Sequence, residues 1–232
     1  MEDSGTIRAI DGVIRARRSV RAFLKRSVPT ALVREILEVA ARAPSGVNTQ
    51  PWKVHVLTGP ALKGLSDAIV AAFDRPDPGD PHVAEFTSYP DQWLSPYQER
   101  RRKLGWDLYG LLGIAKGDAT RMHAQIRRNY EFFDAPVGLI FVIDRVMAKG
   151  SMLDYGMFMQ NVMLAAKARG LDTCPQAAFA TYHRVITRQL GIPPEQVVVC
   201  GMSLGYADGD AVENTLKTHR ETVDSFAVFH GG

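Results

Sequence analysis

Apolar residues recur along this chain with two periods, and the switches between them mark out most of its elements. Ile7, Ile10, Val13 and Ile14 lie three or four positions apart, the spacing of one helical face. A second helical pattern runs from Thr30 to Ala43 through Leu32, Ile36, Leu37, Val39 and Ala40. Pro44 stops it, because the proline ring disfavours helical geometry in the residue before it. From Lys53 to Thr58 the period falls to two, with Val54, Val56 and Thr58 alternating with Lys53, His55 and Leu57, which predicts a strand. Pro136 to Ile143 and Val197 to Met202 are continuous apolar runs, as expected of strands buried on both faces. Met152 to Arg169 predicts the strongest helix, closed by Gly170. It is apolar over more than half its circumference through Met157, Phe158, Met159, Val162, Met163, Leu164, Ala165 and Ala168, so it is either central in the core or shared with another subunit. Thr181 to Leu190 predicts one more helix.

Two stretches carry neither period. Pro44 to Trp52 is rich in turn-forming residues and reads as an irregular loop. Residues 74–98 hold five prolines, at 76, 78, 81, 90 and 96, which predicts a long irregular excursion. A polar, mostly helical stretch follows it to about Asp134, and residues 74–128 together are expected to form a lid or an interface arm. Helices alternating with a few strands fit an α+β or three-layer α/β/α fold, a mixed central sheet flanked by helices. At 232 residues and 46% hydrophobic the chain suits one core, so residues 1–232 read as a single domain.

Charge changes this picture little in total and more in its distribution. Twenty-eight Lys and Arg against 25 Asp and Glu leave a net charge of +3, too small for a protein that wraps nucleic acid. Residues 1–58, however, hold ten Lys and Arg against five Asp and Glu, which points to an anionic partner near the amino end. Cys174 and Cys200 have neither CxxC spacing nor a third partner, so they read as small core residues. The amino terminus carries Glu2 and Asp3 and lacks the apolar run of a signal sequence, and no stretch approaches the length of a membrane span. A cytoplasmic location is expected, with a small-molecule substrate and neither nucleic acid nor membrane as partner.

Three features invite other chemistry and are outweighed. Gly201-Met202-Ser203-Leu204-Gly205 follows a strand, but its spacing is not that of a dinucleotide fingerprint, and its glycines read better as sites of close packing. The six histidines show no metal-ligand spacing. Arg100-Arg101-Arg102-Lys103 has acidic neighbours in Glu99 and Asp107 and reads as a solvated helix face.

Two clusters carry more. Arg17, Arg18 and Arg21 set three guanidinium groups around the hydroxyl of Ser19, a receptor suited to the charge and acceptor oxygens of a phosphate monoester. Taken alone, such a cluster reads sooner as a solvated basic helix end, since arginine clusters are common on surfaces. In the Pro44–Trp52 loop, Asn48 and Gln50 offer the donor pairs and acceptors that match the edge of a planar heterocycle. Gly46 permits close backbone approach, and Pro44 and Pro51 stiffen the loop. Taken alone it is equally an ordinary connector with a buried Trp52.

Together they are specific. An Arg-Ser-Arg cluster, a helix of about a dozen residues and then Pro44-Ser45-Gly46-Val47-Asn48-Thr49-Gln50-Pro51-Trp52 leading into a strand resembles the amino-terminal signature of the FMN-dependent nitroreductase family. The resemblance continues through Asn129, Phe132-Phe133-Asp134-Ala135-Pro136, Gly170 to Pro175 and Gly201 to Gly205, and is weakest between about residues 59 and 125. The middle segment, with Tyr89-Pro90 to Arg102, looks most like the nitrobenzoate reductase branch.

The resemblance implies an intertwined homodimer with FMN at two shared sites and NADH or NADPH as a transient electron donor. Arg17, Arg18, Ser19 and Arg21 would hold the phosphate and ribityl chain, and Pro44, Ser45, Gly46 and Asn48 would approach the flavin from the neighbouring subunit. Asn129 would lie beside the ring system, and Arg220, with Lys217 as second cation, would serve the phosphate. After Pro175, where many relatives have an acidic residue and a glycine meeting N5 through backbone NH groups, this chain has Gln176-Ala177-Ala178, so Pro175, Gln176 and Ala177 complete the expected cofactor set. A ping-pong hydride transfer to nitroaromatic or quinone-type acceptors follows, with no side chain required as nucleophile and hence no catalytic residue named. The alternatives are a specialised flavin enzyme on the same scaffold (a dehalogenase, desaturase or ring-fragmenting enzyme) and a non-enzymatic nucleic-acid-binding protein.

Overall fold

A computed structural model describes residues 4–86 and 89–231; Glu2 and Asp3, the acids noted at the amino terminus, lie outside the described residues. Four strands, β1 (Trp52–Thr58), β2 (Val137–Asp144), β3 (Asp172–Gln176) and β4 (Gln196–Gly205), form one sheet in the order β1-β2-β4-β3. Every adjacent pair is antiparallel, and the parallel component expected of a mixed sheet is confined to an isolated bridge between Ser19 and Thr173 outside the strand pairs.

Seven helices run α1 (Ser4–Ala16), α2 (Thr30–Ala40), α3 (Gly59–Asp74), α4 (Tyr97–Leu111), α5 (Ala119–Tyr130), α6 (Met152–Ala168) and α7 (His183–Leu190) among the described residues. On one face of the sheet, Val137, Leu139, Phe141 and Ile143 of β2 pack with Val33, Ile36 and Ala40 of α2 and Tyr155, Phe158 and Val162 of α6. On the other, Ile140 and Val142 meet Leu65, Ile69 and Val70 of α3 and Ile186 of α7. This two-sided burial explains why β2 is an unbroken apolar run, since each such side chain removed from water contributes roughly 1.5–3 kcal/mol.

In β4 the inward phase changes along the strand. Val197 and Val199 face the α2–α6 side and Val198 the other, yet Cys200, Met202 and Leu204 also face the α2–α6 side. The cause is a bulge, where Phe141 pairs with Cys200 and Val142 with Val198, so one residue of β4 goes unmatched and the alternation shifts. A side chain at Gly201 would come within 2.4 Å of the Phe179 ring, and one at Gly205 within 2.6 Å of Pro136. These glycines serve close packing, as their sequence context suggested.

Two elements are absent from the periodicity reading. Helix α3 begins at Gly59-Pro60, a pair that reads as a turn; here Gly59 adopts φ +50° and Pro60 occupies the first turn, where a missing N–H costs nothing. Strand β3 is five residues long and contains Pro175, which a sheet edge tolerates and a central position does not. The helix expected from Thr181 is α7, preceded by a 3-10 turn over Ala177–Tyr182 and closed by Gly191 at φ +63°.

Between α3 and α4, residues 75–96 form no regular element among the described residues. Helix α1 buries none of its residues, and Ile7, Ile10 and Ile14 stay 49%, 55% and 48% exposed along one stripe. No helix among the described residues is long and apolar enough to cross a membrane.

Candidate functional site

The carboxyl end of β3 and the turn after it form the floor of a cavity. Pro175 and Gln176 end the strand, Ala177, Ala178 and Thr181 follow in the 3-10 turn, and Asn129 approaches from the last turn of α5. Val83, Ala84, Phe86 and Tyr89 of the irregular excursion supply the opposite wall. The volume of this open cleft is about 480 Å³, within the roughly 300–1,000 Å³ of ligand clefts.

Gln176 is 3% exposed, and its side chain is directed inward. Its amide Nε2 donates to the carbonyl of Asn129 at 2.7 Å, and its Oε1 accepts from the Ser203 hydroxyl at 2.8 Å. Both ends of the amide are thus satisfied, and the strand, the sheet neighbour β4 and the end of α5 are fastened together directly behind the cavity. The Gln176 side chain is spent on holding Asn129, which leaves the cofactor role expected of this stretch to its backbone. The Ala177–Tyr182 turn receives no side-chain cap at its start.

The basic cluster stands against the same strand. Ser19 bridges Thr173, the N–H of Val20 donates to the Thr173 carbonyl at 3.1 Å, and the N–H of Arg21 donates to Asn214 Oδ1 at 2.8 Å. The Ser19 hydroxyl and the Arg21 guanidinium face Cys174; burial pushes that thiol up to about 11, and both neighbours oppose the shift. Arg17, Ser19 and Arg21 are half-buried and Arg18 is exposed. Arg21 therefore faces the strand residue, Cys174, that directly precedes the cavity floor at Pro175.

The Pro44–Trp52 loop sits elsewhere. Trp52 stacks on Phe158 of α6 with ring centroids 4.7 Å apart, and the Gly46 N–H donates to Asp154 Oδ2 at 3.3 Å. Ser45 Oγ accepts from the N–H of Gln50. Val47, Asn48 and Gln50 all have positive φ, at 43°, 59° and 47°, and Val47 is 98% exposed. A β-branched residue in left-handed geometry on an open surface is strained, and such strain clusters at binding sites. Pro44, Ser45, Gly46 and Asn48 do not line the cavity. Lys217 and Arg220 lie on the exposed tail, where Arg220 donates to the Thr218 hydroxyl at 2.7 Å and to the His219 carbonyl at 2.9 Å.

Asn129, Pro175, Gln176 and Ala177 thus converge on one cavity, with Ser19 and Arg21 against the preceding residues Thr173 and Cys174 and with Arg17 and Arg18 next to them in the chain. The lining residues that sequence reasoning missed are Val83, Ala84, Phe86, Tyr89, Ala178 and Thr181. The proline run gave the excursion away, but nothing in it says which side chains turn inward. Among the described residues, the lining contains no carboxylate, imidazole, amine or thiol, and its only hydroxyl-bearing side chains are Tyr89 and Thr181. An apolar slot with amide donors at one end and guanidinium groups beside it suits a planar heterocycle carrying an anionic tail, and the chemistry is then the bound group's own.

The family model described as "Nitroreductase family" matches residues 14–206. A 4-nitrobenzoate reductase of Pseudomonas putida is 44% identical over 221 residues, 95% of each chain. A chloronitrobenzene nitroreductase of Comamonas testosteroni is 42% identical and covers 95% of this chain and 96% of its own. Among solved structures, the FMN and NADPH-dependent nitroreductase NfnB of Sphigopyxis sp. strain HMH superposes with a TM-score of 0.90 at 36% identity, over 96% of this chain and 99% of that one. A match across almost the whole length, in sequence and in backbone course, leaves one conclusion: this chain belongs to the nitroreductase family.

Proposed function

We propose that the protein is an FMN-dependent NAD(P)H oxidoreductase that reduces nitroaromatic or quinone-type acceptors, acting in the cytoplasm as a homodimer of single-domain subunits. The observation that carries this reading is the cavity itself, where Asn129 and the backbone of Gln176 and Ala177 face apolar walls beside a triple-arginine cluster. The relatives' names, nitrobenzoate and chloronitrobenzene reductases, support the acceptor class, and the NfnB structure supports the FMN and NADPH pairing.

In this reading Arg17, Arg18, Ser19 and Arg21 hold the FMN phosphate and ribityl chain, with Lys217 and Arg220 as further cations. Each guanidinium–phosphate bond contributes on the order of 1.5–3 kcal/mol. Asn129 orients the ring edge, and Pro175 with the N–H groups of Ala177 and Ala178 forms the surface under it. Bound FMN would supply the redox chemistry, accepting hydride from NADH or NADPH and then passing an electron pair to the acceptor. Donor and acceptor share one apolar space, and Val83, Ala84 and Phe86 exclude water from it.

Two features favour a dimer. The Pro44–Asn48 loop is strained and exposed yet remote from this chain's own cavity, as expected if Pro44, Ser45, Gly46 and Asn48 complete the second subunit's site. The apolar stripe of α1 and the exposed Phe226, Val228 and Phe229 of the tail also need cover.

The absorbance spectrum of the purified protein tests the reading. A yellow protein bleached anaerobically by NADPH or NADH, with turnover on nitroaromatic and quinone panels, is expected. Colourless protein that takes up no FMN would sink the proposal, and good bleaching with poor turnover on both panels would point to a specialised relative. Arg17→Ala and Arg220→Ala should each weaken FMN retention at least tenfold in an equilibrium titration. Unchanged affinity would show the phosphate to lie elsewhere.

A further inference from the structure

We infer that Glu85 is a positioning residue that sets acceptor selectivity, by holding the wall made of Val83, Ala84 and Phe86 in place over the cavity. This role rests on the function proposed above.

Residues 75–96 have no helix or strand to fix their course, and five prolines deprive them of backbone donors. A wall built on such a segment must be held by side chains. Phe86 packs its ring against the main core cluster, and two charged tethers lie on either side of Val83.

The first tether is Arg184 of α7, which bonds the Asp80 carboxylate and donates to the Pro81 carbonyl at 2.8 Å. The Asp80 side chain is 68% exposed, and pairs that open to water contribute little. The second differs in kind. The Glu85 side chain is only 19% exposed and has two partners from separate elements. Arg145, just beyond β2, meets Oε1 at 2.7 Å, and His183, at the start of α7, approaches Oε2 at 3.3 Å.

Arg145 is itself immobilised before it meets Glu85. Its backbone N–H donates to the Glu195 carbonyl at 2.7 Å, and its guanidinium donates to the Pro194 carbonyl at 3.2 Å. The largely buried carboxylate is thus received by a guanidinium held at the start of β4, itself 53% exposed, so loss of Glu85 removes the wall's anchor without burying an unpaired cation. Glu85 itself does not line the cavity, whereas Ala84 and Phe86 on either side of it do. The residue therefore acts on the acceptor only through the wall.

The test uses FMN-loaded enzyme with saturating NADPH and two acceptors, compact nitrobenzene and bulky 1-nitropyrene. For Glu85→Ala, the ratio of kcat/KM for nitrobenzene over nitropyrene should fall at least fivefold, mostly through KM, while FMN retention and the rate of anaerobic bleaching by NADPH stay within twofold. Glu85→Gln, which still accepts from Arg145, should fall between wild type and Glu85→Ala. Arg145→Ala should reproduce the shift, and the double variant should add little. An unchanged acceptor ratio in FMN-loaded Glu85→Ala overturns the inference, and so does a ratio that moves only together with lost FMN, which would mean a collapsed site. If wild type takes up no FMN, the underlying site reading fails first and this role fails with it.

Discussion

Gln176 shows how a residue expected at a cofactor through its backbone can serve as a strut through its side chain. Its place after Pro175 put it in the expected cofactor set through its backbone, and its side-chain amide is consumed by the Asn129 carbonyl and the Ser203 hydroxyl. Asn129 is positioned by that bond, so the effect of Gln176 on the cavity is indirect. Gln176→Glu removes the donor and sets a carboxylate against a carbonyl in a buried place. We expect it to cost about 1–3 kcal/mol in urea unfolding, whereas a change on the solvent face of α5 should cost under about 0.5 kcal/mol. Equal stability of the two would show the strut to be dispensable. The same distinction holds at Cys174, which faces Arg21 and directly precedes the cavity floor yet is 3% exposed and keeps its proton, as a core residue does.

At the level of elements, what could be read in advance depended on whether an element's reason lies within its own sequence. Helix α6 and strand β2 carry their periods internally and are where the pattern predicted them. Strand β3 exists because β4 and the Ser19 bridge pair with it, and its five residues hold no period of their own. Helix α1 is the reverse case, strongly periodic but with its apolar stripe left exposed among the described residues. If the proposed dimer is right, Ile10→Glu should weaken self-association at least tenfold in sedimentation equilibrium and reduce FMN retention in parallel. A variant that stays dimeric and fully loaded would remove α1 from the interface.

For the molecule as a whole, burial sets an alkaline limit. Burial pushes Cys174 up to about 11 and Cys200 up to about 12, and it also raises the hydroxyls of Tyr130 and Tyr155. An unfolded chain would release its thiol protons near about 8.5, so above that pH the folded state binds more protons. By linkage, stability is full below the unfolded value and falls as pH rises towards the folded thiol values of about 11 and about 12. A tenfold difference in proton affinity between the folded and unfolded chain is worth about 1.4 kcal/mol, so urea midpoints should drop clearly between about pH 8 and about pH 10.5. Cys200→Ala should show a smaller drop than wild type; an identical drop would assign the limit to other groups.

The sequence alone determined the two-sided burial of β2, the apolar girth of α6, the break at Pro44 and the basic cluster, because each depends on neighbours close along the chain. It also carried enough ordered motif to point to the family. Only the tertiary structure decided which face of each cluster is used. It turned Gln176 inward, set Cys174 against Arg21, kept the Pro44–Asn48 loop away from its own chain's cavity and selected Ala84 and Phe86 as wall. Those outcomes depend on contacts between residues far apart in sequence, such as Arg145 with Glu85 or Asn129 with Gln176, and no local period encodes where two distant segments will meet.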